Sequence, residues 1–377
     1  MIKLFEMFSG YGGASFALKK ANIPFKCIGY SEIDKYAIKI YNQNHLNIRN
    51  YGDCSKINTN DLPDFNLLTG GFPCQDVSII GDRDLSKGRT NLYKEIIRIA
   101  NDKKPKYMLL ENVKGLMSMK INEKLLYKQI LNNLKNIGYG VILKILNSKD
   151  YRIPQNRERV WFICKYNGWE FNEFKDLKKE RKIININNFL QKQVDNKYYL
   201  TKQQEDKIFN GEKIRLIKVI APTLILGRCY TNYETPLIID SKKYKDENKK
   251  RIYKNIIPTL MGRKRTDEVP ILCITEAQGR QGNSTEFIKT SLRIGRRLTP
   301  KECFRLMGFV NDEIILDGIS DSSLYKIVGN GWDINLVSKI FQNIFTKEDI
   351  EISKKEEEEL NKEIERKTKK VEWLKCN

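Results

Sequence analysis

The segment Gly70-Gly71-Phe72-Pro73-Cys74-Gln75 follows the apolar run Phe65 to Leu68. Pro73 can continue neither a helix nor a sheet ladder, so it fixes a loop at the carboxyl end of a strand, where open α/β sheets bind their ligands. That puts the Cys74 thiol in a crevice. An unperturbed thiol is only slightly ionised at neutral pH, yet sulfur is strongly nucleophilic and also a good leaving group. The next apolar run, Tyr107 to Leu110, ends in Glu111-Asn112-Val113, whose carboxylate should point into the same crevice. A thiol beside a carboxyl group suits addition to a conjugated ring whose nitrogen must be protonated. Gln155-Asn156-Arg157-Glu158-Arg159 offers two guanidiniums on one side of an extended chain, able to pair with Glu111 or with phosphate.

A second constellation suggests a nucleoside. Phe8-Ser9-Gly10-Tyr11-Gly12-Gly13 closes the first strand-like run with a glycine turn, which lets backbone approach a ligand closely at a helix amino end. Glu32 follows Gly12 by about 20 residues, the distance at which a carboxylate accepts ribose hydroxyls. Asp53, after another strand-like stretch, could serve an adenine edge. The glycine spacing departs from the G-x-G-x-x-G that holds a pyrophosphate over a helix end. It fits a ligand without phosphates at least as well, and S-adenosylmethionine is such a ligand.

The elements that position these residues follow from periodicity. Strands are expected at Ile2 to Phe8, Lys26 to Tyr30, Phe65 to Leu68, Tyr107 to Leu110, Val141 to Leu146 and Arg159 to Cys164. Tyr36 to Asn44, Leu92 to Asn101 and Glu123 to Asn136 carry apolar residues at helical spacing, and Gly138 stands where a helix-ending glycine belongs. This alternation predicts an α/β fold with a mostly parallel sheet. It fades from Lys165 to Gly295, where 27 Lys and Arg stand against 16 Asp and Glu, about half of the chain's net charge of +21. A polyanion is the expected partner, and this stretch its contact. Residues 347–377 are Lys- and Glu-rich with Leu360, Ile364, Val371 and Leu374 near heptad spacing, which reads as a solvated, helical tail.

Composition narrows the alternatives. A chain of 377 residues, 40% hydrophobic and 31% charged, is an ordinary globular protein long enough for two domains. Its eight cysteines form no C-x-x-C pair, so no metal site is expected, and a single histidine, His45, leaves no His dyad. Neither an apolar leader nor a membrane span is read in it, so no membrane partner and a cytoplasmic location are the expectations.

In order along the chain, the Phe8 to Gly12 turn, Glu32, Asp53, Pro73-Cys74, Glu111 to Val113, Gln155 to Arg159, the Arg297-to-Gly308 block and Gly329-Asn330 resemble the cytosine-C5 DNA methyltransferases. The resemblance implies a Rossmann-like S-adenosylmethionine-dependent sheet with a second, smaller target-recognition domain. It implies a catalytic domain over residues 1–190 plus 316–346, target recognition over 191–315 and a charged tail over 347–377. Cys74, Glu111, Arg157 and Arg159 take the catalytic roles. S-adenosylmethionine falls to Phe8, Ser9, Gly10 and Gly12, to Glu32 and Ile33, to Asp53 and Cys54, and to Pro73 and Asn330. Cys74 would add to C6 of a flipped-out cytosine, Glu111 would serve N3, and Arg159 with Arg157 would hold O2. Double-stranded DNA is the implied partner of a monomer, with a cognate restriction endonuclease as a further one. Gly331-Trp332 and Ile33 depart from the family's usual residues near the cofactor. The rivals are a transfer-RNA methyltransferase of the same family, a catalytically silent DNA-binding protein and a nicotinamide oxidoreductase. The first lacks here its Cys-Phe-Thr segment, and the last would leave Cys74 without a role.

Overall fold

The computed structural model describes residues 1–73, 92–121, 123–170, 173–180, 186–199, 215–217, 221–222, 237–240, 271–275, 295–310 and 313–376. Cys74 lies outside them, as do residues 81–90, whose glycine, serine and basic residues read from the sequence as a loop able to close over DNA, and nearly all of the similar Pro-Thr-Leu segments beginning at Pro222 and Pro258. The chain divides into two compact units, residues 1–146, 158–178 and 334–377 in one and 147–157 with 179–333 in the other. Residues 147–157, 179–190 and 316–333, which the resemblance assigns to the catalytic domain, group here with the basic segment.

The first unit is built on strands β1 (Ile2–Met7), β2 (Phe25–Ser31), β3 (Leu67–Gly71), β4 (Tyr107–Val113), β5 (Tyr139–Asn147) and β6 (Glu158–Tyr166). They form one sheet in the order β2-β1-β3-β4-β6-β5. β2, β1, β3 and β4 pair in parallel, whereas β6 runs antiparallel to β4. Helices α1 (Gly13–Lys20), α2 (Lys35–Asn44), α3 (Tyr93–Lys103) and α4 (Leu126–Asn136) connect them. Strand β1 is buried at every residue but Lys3, as expected of a parallel strand covered on both faces. Apolar residues three and four apart, Ile96, Ile99 and Ala100 on α3 and Leu126, Ile130 and Leu134 on α4, join Leu68, Leu110 and Phe162 in one core. Helix α4 starts three residues later than its apolar pattern suggests, because Glu123 is left-handed at φ 62° and cannot be helical. Gly138, at φ 93°, ends the turn after it.

In the second unit, β7 (Arg215–Ile217), β8 (Leu237–Asp240), β9 (Ile271–Thr275) and β10 (Gly295–Arg297) form a sheet in the order β7-β9-β8-β10. Helices α5 (Pro300–Arg305) and α6 (Asp321–Asn330) follow. Thr299 caps α5 and Glu302 returns the bond to the Thr299 amide at 2.8 Å. The same carboxylate, wholly buried, meets the Arg296 guanidinium through both oxygens at 2.7 and 2.8 Å and accepts from the Gln191 amide at 2.7 Å.

The chain returns to the first unit through α7 (Ile334–Ile344), which packs on α1, and ends in α8 (Lys347–Cys376). The first turns of α8 are docked. Asp349 accepts from Lys106 Nζ at 2.7 Å and Tyr107 Oη at 2.9 Å, and Ser353 Oγ accepts from the Ile2 amide at 3.1 Å. From residue 354 to residue 367 the helix is exposed, as expected of a solvated tail. No helix among the described residues is long and apolar enough to cross a membrane.

Removing Glu302 strands a buried guanidinium, which costs about 3–5 kcal/mol. Glu302→Ala should therefore lose a free energy of that order in urea unfolding, and a loss below about 1 kcal/mol would refute the assignment.

Candidate active site

Parallel pairing brings the carboxyl ends of β1, β2, β3 and β4 to one edge of the sheet, and the chemistry-bearing residues follow those ends. The turn after β1 uses left-handed backbone at Phe8 (φ 52°), Gly10 (φ 56°) and Gly12 (φ 85°). A phenylalanine in that region is strained, so the turn must be held from outside. Ser9 N–H donates to Ser31 O at 3.3 Å, and Gly12 N–H returns to Ser9 O at 2.9 Å. Glu32, just past β2, accepts from Gly10 N–H at 2.9 Å through one oxygen. Its other oxygen accepts from the amides of Ile33 at 2.8 Å and Asp34 at 2.9 Å. Asn50 ties the Glu32 backbone in both directions. Three amides thus orient a carboxylate whose lone pairs can accept further hydroxyls. Ile33 beside it is 72% exposed.

Asn50 pairs with Tyr30 of β2, bringing Asp53 toward the same edge. Asp53 Oδ1 accepts from the Ser55 hydroxyl at 2.8 Å and the Ser55 amide at 3.0 Å, bonds that hold the carboxyl below its ordinary range. Cys54 is a core residue: burial pushes its thiol up to about 12, and its carbonyl accepts from Arg98 at 3.1 Å. Only its backbone is suited to a ligand.

At the end of β3, Phe72 is buried and Pro73 half-buried. Gly71 pairs in register with Glu111 on β4. The next residue on β4, Asn112, donates through Nδ2 to Phe72 O at 3.0 Å and so anchors the chain two residues before Cys74. On the other side of β4, Glu111 lies opposite Trp161 and Val113 opposite Arg159, which makes Glu111 and Arg159 diagonal neighbours on one face. Arg159 Nε donates to Glu111 Oε1 at 2.7 Å, with both side chains 11% exposed. Burial pulls the guanidinium below its ordinary value, and the carboxylate opposes this.

Arg157 is placed differently. The Arg157 amide donates to Gln155 O at 3.0 Å, a three-residue turn that breaks the extended chain expected here. Its guanidinium, 2% exposed, donates to the carbonyls of Gly329 at 3.2 Å and Gly331 at 2.7 Å. It braces the turn around Asn330, itself exposed at the end of α6, within the second unit. Arg157 and Arg159 therefore do not form one cationic pair.

The sequence profile of the C-5 cytosine-specific DNA methylase family matches residues 2–346. The chain belongs to that family. It is a cytosine-C5 methyltransferase that uses S-adenosylmethionine. Orphan methyltransferase M.SPBetaI of Bacillus phage SPbeta is 30% identical over 91% of this chain and 97% of its own. Type II methyltransferase M1.ScrFI of Lactococcus lactis subsp. cremoris is 30% identical over 94% of this chain and 80% of its own. The crystal structure of S. pombe Dnmt2 methyltransferase superposes with a TM-score of 0.61 at 20% identity, over 91% of this chain and 98% of that one. That likeness concerns the fold: the Rossmann-like sheet expected from the sequence is the one observed.

The glycine turn fits the methyl donor. A Cβ on Gly10 would meet nothing within 4 Å, and Ser9 Oγ is buried with no hydrogen-bond partner among the described residues. An open face with an orphaned hydroxyl beside an oriented carboxylate is a cradle for a polar ligand without phosphates.

Reading by type and spacing overlooked the underside of this turn. Glu6 sits within β1, 2% exposed, and accepts from the Ser15 amide at 3.0 Å and Tyr41 Oη at 2.6 Å. Burial raises its pKa. An acidic residue inside an otherwise apolar strand was the available signal. His45, 7% exposed, is pulled from 6.5 down to about 4 by burial and by the Lys19 ammonium. The fold thus holds the imidazole neutral while the unfolded chain takes up a proton near pH 6.5. Stability from this group is lost as pH falls from about 6.5 toward 4, by up to about 3 kcal/mol. In urea unfolding, the stability of the wild-type chain relative to His45→Gln should decline by that order across the window. A difference independent of pH would contradict it.

Proposed function

We propose that the chain methylates C5 of cytosine within a specific duplex DNA sequence, on a base extruded from the helix, through a transient bond between Cys74 and C6. The observation that carries this reading is the buried Glu111–Arg159 pair, whose carboxylate lies on the strand next to the one that leads into Pro73-Cys74. An aromatic cytosine carbon is a poor nucleophile. Addition of the Cys74 thiolate at C6 moves the C5–C6 electron pair onto C5 and makes it one. Glu111 protonates or hydrogen-bonds N3, so that charge does not build up on the ring. Arg159 holds Glu111 through Nε and offers its remaining N–H donors to O2, a transition-state contact often worth a few kcal/mol. Arg157 acts at a distance by bracing the Gly329 to Gly331 turn. The donor, when bound, supplies a methyl group on a positively charged sulfur; C5 bonds to that methyl while the broken S–C bond leaves its electron pair on a neutral thioether. Loss of the C5 proton to a base then expels the thiolate and restores the ring.

Phe8 to Gly12, Glu32, Ile33, Asp53, Cys54, Pro73 and Asn330 are the donor's proposed contacts, with Glu32 on the ribose and Asp53 on the adenine edge. A base inside a duplex is out of reach of a crevice thiol, so extrusion is required, at an unstacking cost of a few kcal/mol. Lys- and Arg-rich residues 191–315 are proposed to supply the compensating phosphate contacts and the sequence reading. Relatives named type II methyltransferases support a role in restriction-modification, with a cognate endonuclease as partner.

Cys74→Ala should abolish methyl transfer from labelled S-adenosylmethionine to duplex DNA while donor affinity stays within about threefold. Wild-type turnover by that variant, or methylation of transfer RNA in preference to DNA, would overturn the reading.

A further inference from the structure

Beneath the glycine turn lies a buried network to which the reaction assigns no role. Tyr41 and His45 stand one helical turn apart at the end of α2, on the face turned toward β1 and α1. Tyr41 Oη donates to Glu6 on β1 at 2.6 Å, and its ring stacks on Tyr30 with centroids 3.8 Å apart. Glu6 also accepts from the amide and hydroxyl of Ser15, at 3.0 and 3.1 Å, in the first turn of α1. The His45 ring packs between Phe16 and Tyr41, at centroid distances of 4.7 and 4.6 Å. Its Nε2 lies 3.2 Å from Tyr11 O, in the middle of the turn. A carbonyl oxygen only accepts, so Nε2 carries the proton.

The same ring limits the turn sterically. A Cβ on Gly12 would lie 2.3 Å from His45 Nε2 and 3.0 Å from the Tyr41 ring, whereas one on Gly10 would meet nothing within 4 Å among the described residues. The turn therefore has one packed side, against α2, and one open side, where Ser9 Oγ lacks a partner among the described residues. Residues 8–12 pass three times through left-handed backbone, and one of the three, Phe8, has no glycine to ease it. Local preference does not choose this shape; Glu32 holds the turn at Gly10 and His45 holds it at Tyr11.

We infer that His45, packed against Phe16 and against the Tyr41 that Glu6 holds, is a positioning residue for the methyl donor: it presets the glycine turn through the Tyr11 carbonyl and Gly12 without touching the ligand. The inference rests on placing the donor on the open side of this turn. A preset loop pays no ordering entropy when ligand binds, so losing the hydrogen bond weakens donor affinity and leaves the chemistry of the bound state largely intact. A histidine that merely filled the core would affect stability without this separation.

The test compares His45→Phe, which keeps a ring and removes the donor N–H, with His45→Gln, whose amide can reach the same carbonyl. His45→Asn, too short to reach and adding no bulk, substitutes for His45→Phe should that variant fail to fold. Affinity for S-adenosylmethionine is measured by calorimetry on the full-length chain, and KM and kcat are measured with duplex DNA. His45→Phe or His45→Asn should weaken donor binding about fivefold, the effect of losing one neutral hydrogen bond. The KM for donor should rise in step and kcat at saturating donor should change far less, while His45→Gln stays within about twofold of wild type. Unchanged affinity in a folded His45→Phe, equal damage from His45→Gln, or a fall in kcat alone would overturn the inference. Glu32→Ala run in parallel separates the two levels. If it loses affinity while the His45 variants do not, only the positioning role fails; if none of them loses affinity, the donor's assignment to this turn fails too.

Discussion

The ion pair between Glu111 and Arg159 is the interaction on which the rest of the site depends. Each charge, buried alone, would be strongly unfavourable, and each is tolerable only because the other lies 2.7 Å away. Strand direction makes the meeting possible. Glu111 lies near the carboxyl end of β4, and a residue near the start of a neighbouring strand can reach it only if that strand runs the opposite way, as β6 does. The antiparallel seam brings a cation to an edge where the parallel strands otherwise deliver only loops. It gives the Glu111 carboxyl group a fixed orientation before any substrate arrives.

Preorganisation recurs at the turn after β1. Glu32 is aimed by three backbone amides, and the turn it meets is held from beneath by His45, just past α2. Asn112 performs a similar service for the segment entering Pro73, by donating through Nδ2 to Phe72 O. In each case the residue that could meet a ligand is short of local stabilisation and is braced by one that does not. Functional geometry of this kind concentrates strain at the turn and repayment in the packed layer below.

Much of the fold was legible in the amino-acid sequence, because buried parallel strands read as apolar runs and their helices as apolar stripes. The boundaries that slipped have local causes. β3 extends through Gly70 and Gly71, residues that weaken a strand and so suggested its end, yet they pair with Leu110 and Glu111. Strand direction was not legible, since an apolar pattern is the same read either way, and the β4–β6 seam was missed for that reason. The motif residues at the edge, Glu32, Glu111 and Arg159, stand out by type and spacing. The chain at Arg157 departs from the extended run read there because the backbone turns at Asn156. That Tyr41 and His45 lie beneath the glycine turn was not legible: nothing in a helix's own periodicity says which loop its buried face supports.

The central claim is a sulfur–carbon bond, and a fluorinated substrate tests it most directly. With 5-fluorocytosine at the methylated position of a duplex, no C5 proton can be removed after methyl transfer, so the thiolate cannot be expelled. Incubation with S-adenosylmethionine should give a protein–DNA adduct that survives denaturant, and peptide mapping should locate it on Cys74 among the eight cysteines. Absence of an adduct although donor and duplex are both bound, or its location on another residue, would contradict the account.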